Sequence, residues 1–176
     1  MPELKTKMQT RARNGDMKVT FTRTGERRYR VSVEGTGVIA SYMEPAAGYD
    51  ERLPHDLAHF VVENDLGIMG CIFGPLSNGG SGWAPLDETK KRKPGKSGNP
   101  KKNLDQKEAE MTERVIDIAC HKWTGRKYTG AMIKGVTTGD IDRICGKFDD
   151  VSSVWSKLRV GESMTLEWTI GSRKAR

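Results

Sequence analysis

Apolar residues recur at every second position near both ends of the chain, and this alternation limits the fold more than any other feature. Met17, Val19 and Phe21 alternate with Lys18, Thr20 and Thr22, and Tyr29, Val31 and Val33 repeat the pattern after the turn-like Thr24-Gly25-Glu26. A period of two belongs to a strand with one buried and one wet face, so this stretch predicts a hairpin. Met164, Leu166, Trp168 and Ile170 show the same period as a closing strand. Gly35 and Gly37 interrupt the first pattern, Val38-Ile39-Ala40 reads as a third short strand, and 43–52 as a loop. Between the two alternating regions the spacing changes to three and four, which is helical. Pro54 and Gly67 bracket one helix, proline suiting the first helical position and glycine the stop. Met111, Val115, Ile118 and Ala119 stripe a second over 104–123, with Asp105 and Glu108 as a capping pair and Gly125 as its end. Ile141, Ile144, Phe148, Trp155 and Leu158 stripe another, opened by Asp140. The expected fold is α+β, a small antiparallel sheet of the N-terminal hairpin plus the C-terminal strand, packed with about three to four helices.

A chain of 176 residues suits one domain with a real core. Residues 1–15 read as a flexible basic arm and 16–176 as the single domain, interrupted by a disordered basic loop at about 84–102. Seven of the 30 basic residues lie in that loop, from Lys90 to Lys102, and the remaining 23 balance the 23 acids. Residues 31–89 hold nine acids against Arg52 alone, a field that favours a cation over a phosphate. No apolar run is long enough to span a bilayer, and Met1-Pro2-Glu3-Leu4-Lys5 lacks the apolar stretch of an export signal. The three cysteines, Cys71, Cys120 and Cys145, have no paired spacing, so reduced thiols in a cytoplasmic protein are expected. The glycine-rich 79–82 segment lacks the lysine and hydroxyl residue of a phosphate-binding loop. No Gly-x-Ser-x-Gly elbow and no zinc-finger spacing is present.

The acidic region contains His55-Asp56-Leu57-Ala58-His59, two of the three histidines four residues apart. Residues at i and i+4 share a helical face, so two imidazoles can reach one metal ion. By helical phase the pair flanks the buried side, with Val62 and Leu66. The candidate metal ligands are His55, His59, Glu63 and Cys71, the last two as alternatives for the third position. Asp56 is the candidate catalytic residue, as general base on a metal-bound water or as orienter of a histidine's second nitrogen. Zinc suits two imidazoles with a carboxylate or thiolate, and iron suits two histidines with a carboxylate and open positions. The chemistry that fits is metal-dependent hydrolysis of an unknown small-molecule substrate, oxidative with iron; a purely structural ion uses the same ligands.

This motif resembles one carried by a family of ubiquinone-biosynthesis proteins, His-Asp-x-x-His followed by eleven residues and a glutamate, which is thought to bind zinc. Here the eleven residues run from Phe60 to Gly70 and end at Cys71 in place of glutamate. The resemblance implies metal binding with cysteine as third ligand. The run from Arg52 to Gly70 and the ending Trp155, Leu158, Gly161, Leu166, Trp168 are also similar to small bacterial domains of unassigned function. A rival reading is a nucleic-acid-binding or adaptor protein. It would act through Lys90–Lys102, the arm's Lys5, Lys7, Arg11 and Arg13, and Arg27, Arg28 and Arg30, with structural histidines. Trp83 is the nearest aromatic residue to the basic run.

Overall fold

The alternating stretches pair as their period requires. The computed structural model describes residues 17–80, 83–86 and 104–170. Its strands are β1 (Met17–Gly25), β2 (Arg28–Gly35), β3 (Ser41–Met43), β4 (Ala84–Pro85) and β5 (Ser163–Trp168), in one antiparallel sheet of order β4-β3-β2-β1-β5. Val19 faces Val33 on β2 and Leu166 on β5, and Phe21 faces Val31 and Met164. These apolar residues share one face, as a period of two dictates. The opposite face carries Lys18, Thr20 and Thr22; Thr20 and Thr22 hydrogen-bond to Thr165 and Ser163 across the β1–β5 pair. The third strand begins one residue beyond Val38-Ile39-Ala40, after Gly37 turns the chain with a φ of 77°. Met43, read as loop, pairs with Val31.

The helices are α1 (His55–Leu66), α2 (Phe73–Ser77), α3 (Gln106–Trp123) and α4 (Thr138–Trp155). Helix α1 follows Pro54 and stops at Gly67, whose left-handed backbone (φ 74°) gives its N–H to the Glu63 carbonyl. It is buried on nearly every side. Phe60 packs edge-on against Phe21 of the sheet, Phe73 of α2 and Trp168 of β5, while α3 and α4 cover the remaining faces. Trp155 of α4 reaches Tyr29 of β2. Helix α4 opens with a reciprocal capping box between Thr137 and Asp140. Helix α3 is capped by Asp105, which accepts from the N–H groups of Lys107 and Glu108. The 1–15 arm and Lys90–Lys102 lie outside the described residues, while Ala84–Pro85 forms the edge strand. Among the described residues, no helix is long and apolar enough to cross a membrane.

Candidate metal centre

His55 and His59 meet edge to face one turn apart at the start of α1, ring centroids 4.6 Å apart. Their Nε2 atoms approach to 3.1 Å. Glu113 of α3 completes a triangle, with Oε1 3.0 Å from Nε2 of His59 and 3.4 Å from Nε2 of His55. Ligand atoms about 2.0–2.2 Å from one ion are separated by about 3.0 Å at right angles and about 3.4 Å at the tetrahedral angle. The triangle therefore has the size of three corners of a coordination shell. His59 is the buried anchor, with 2% of its side chain exposed, and His55 and Glu113 form the open rim at 45% and 55%.

The other nitrogen of His59 is held from behind. Oε1 of Glu63 lies 3.2 Å from Nδ1, and Oε2 accepts the backbone N–H groups of Ile72 (3.0 Å) and Phe73 (2.8 Å). The carboxylate accepts on both oxygens, so Nδ1 carries hydrogen and the lone pair of a neutral ring is on Nε2. That lone pair then faces a carboxylate oxygen at 3.0 Å. Two acceptors at this distance need a proton or a metal ion between them. Burial alone would push the His59 pKa down, but the hydrogen bond and charge of Glu63, then Glu113, outweigh it and the pKa rises.

Cys71 lies on the Glu63 side, its Sγ 3.7 Å from Nδ1 of His59. Burial first, then the neighbouring Glu63 charge, pushes its thiol up to about 12. The residues thus gather into two groups able to hold an ion, His55–His59–Glu113 and His59–Glu63–Cys71, which share His59 through opposite nitrogens. Asp56 faces another way. Its Oδ2 lies 2.6 Å from the Tyr29 hydroxyl, which is also 2.5 Å from the Ala47 carbonyl. Burial pushes the Asp56 pKa up, against the Tyr29 hydrogen bond and the charges of His59 and His55, which act to lower it.

Nothing matches this chain among protein-family models, curated proteins or solved structures. The site therefore rests on its own geometry. Glu113 was not among the sequence candidates, because 54 residues separate it from His59. No local signal marked it: by helical phase Glu113 lies on the far side of its helix from the Met111, Val115, Ile118 and Ala119 stripe. On the rival surface, Arg30 pairs with Glu44 at 3.7 Å and lies over the Tyr42 ring, and Arg27 and Arg28 are exposed. Trp83 packs edge-on against Phe73.

Proposed function

We propose that this protein binds a divalent metal ion through Nε2 of His55, Nε2 of His59 and the Glu113 carboxylate. The observation that carries this reading is the convergence of three ligand atoms within 3.4 Å of one another, with Nε2 of His59 and Oε1 of Glu113 close enough to need a proton or a metal ion between them. In this reading Glu63 is the partner that fixes the His59 tautomer, a role that commonly accompanies ligating histidines. Cys71 packs behind it as a thiol, and Asp56 supports the first turn of α1 through Tyr29. Zinc is the first candidate, since two imidazoles and one carboxylate suit it; iron suits the same set. When bound, such an ion acidifies a coordinated water or polarises a substrate oxygen, which makes metal-assisted hydrolysis the reaction class that fits. The chain's own contribution is a buried, pre-oriented His59 and two exposed ligands facing solvent.

Elemental analysis of the purified, tag-free chain beside the His55→Ala/His59→Ala double variant tests this. About one zinc or iron per chain, absent from the variant, is the expected result. No metal in the parent protein after reconstitution, or equal metal in the variant, would overturn the reading.

A further inference from the structure

Helix α3 supplies Glu113 to the front of His59, and five residues earlier it carries Glu108, which acts on the back. Oε2 of Glu108 accepts the N–H of Gly70 at 2.5 Å, and the N–H of Asp105 donates to the Gly70 carbonyl at 2.7 Å. Both polar groups of one glycine are thus tied to the first turn of α3. The fit leaves no room for a side chain: a Cβ on Gly70 would lie 2.6 Å from Oε2 of Glu108 and 2.6 Å from Cβ of Asp105. Two and three residues on are Ile72 and Phe73, whose N–H groups hold Oε2 of Glu63. Oε1 of Glu63 in turn holds Nδ1 of His59.

We infer that Glu108 is a positioning residue of the metal centre, acting through Gly70, the Ile72–Phe73 backbone and Glu63 to fix the tautomer and aim of His59. The inference rests on the metal reading for its functional meaning, but the chain of contacts exists without an ion. In the sequence Glu108 reads as the second half of a capping pair; its carboxylate instead reaches out of its own helix to the segment that follows α1. Two of the three glutamates of α3 therefore grip one imidazole from its two edges, Glu113 directly and Glu108 through three intermediaries. A backbone link is suited to this, since N–H donors fixed by a bound glycine and a short helix have little freedom to drift.

The test uses the full chain, with cobalt(II) as the metal probe and the His59 Nδ1–H proton signal, recorded by NMR on metal-free protein, as a second readout. Glu108→Ala is expected to weaken cobalt binding about tenfold, the lower end for loss of a group supporting a ligand, to alter the cobalt ligand-field spectrum, and to lose or broaden the Nδ1–H signal. Glu108→Gln keeps an acceptor oxygen at the same reach and is expected to restore all three. Glu108→Asp keeps the charge but shortens the reach, and is expected to behave as Glu108→Ala; it serves if the alanine variant does not fold. A Glu108→Ala or Glu108→Asp protein with parental affinity, spectrum and imidazole signal would overturn the inference. If the parent binds no cobalt, the metal reading fails, and the imidazole signal decides alone: its loss in Glu108→Ala supports the positioning role and its persistence overturns it.

Discussion

Gly48 has a positive φ of 72°, and a Cβ built on it would lie 2.6 Å from Cβ of His55, while its carbonyl accepts the His55 N–H at 3.0 Å. His55 is therefore seated by a residue that cannot carry a side chain. Gly48→Ala adds left-handed strain of about 1–3 kcal/mol and pushes on His55. Urea unfolding should show that loss of stability, and a metal titration should show weakened affinity; an unchanged affinity would mean that His55 is not placed by this contact. Cys71 provides the opposite case. If the ion sits at Nε2 of His59, Cys71→Ala retains full metal content, and the cobalt-loaded parent lacks a thiolate-to-cobalt charge-transfer band. Such a band, lost in Cys71→Ala, would move the ion to the Nδ1 side. At this scale the histidine pair and Glu63 were legible because i, i+4 spacing is a local rule. Glu113 was not, because only the packing of two helices distant in sequence brings it there.

Helix α1 shows what an element can and cannot disclose. Its limits were readable from Pro54 and Gly67, since both act through backbone geometry. Its burial was not, because its layers are supplied by a sheet and two helices from elsewhere in the chain, and His59, Glu63 and Asp65 are buried among them. Asp65 is the clearest instance. Its carboxylate receives Nε and an Nη of Arg143 and, at 2.6 Å, Nζ of Lys147, residues one turn apart on α4. Burial alone would raise its pKa, but the hydrogen bonds from Arg143 and Lys147 outweigh it and hold Asp65 below the usual carboxylate range. Asp65→Ala removes these charged hydrogen bonds and leaves two half-exposed cations that water can reach, so a loss of about 2 kcal/mol is expected. The same group sets a pH dependence. A folded pKa below the unfolded one gives stability that is present above the unfolded value, near 3.9, and lost as pH falls through the folded one. Acid unfolding of the parent should therefore steepen below about pH 4, and Asp65→Asn should flatten that limb. A variant as acid-sensitive as the parent would remove Asp65 as its source.

The whole molecule is organised by pairings that the ends of the chain announce and by contacts that its middle conceals. Alternation at Met17–Val33 and Met164–Trp168 was enough to join the hairpin and the last strand, because a two-residue period has one buried face to satisfy. At the far edge of the sheet a third short strand was readable but placed over 38–40 in place of Ser41–Met43, and β4 was not read, since strands of three and two residues are too short to show a period. The proposed centre crosses this architecture, taking two ligands from α1 and one from α3, helices that join only in the folded chain. An ion held in this way binds the folded state and not the unfolded one, so it should stabilise the protein by about 2.7 kcal/mol at a free concentration one hundred times its Kd. For a domain of this size that corresponds to a rise in Tm of about 5–10 °C. Glu113→Ala leaves both histidines on α1 but removes the bridge to α3. Its metal-dependent rise should shrink well below the parent's, while its metal-free Tm changes little because Glu113 is exposed. Thermal scans of parent and variant with and without zinc decide the point. An equal zinc-dependent rise in both would show that the ion is held within α1 or on the Nδ1 side of His59, and that α3 contributes no ligand.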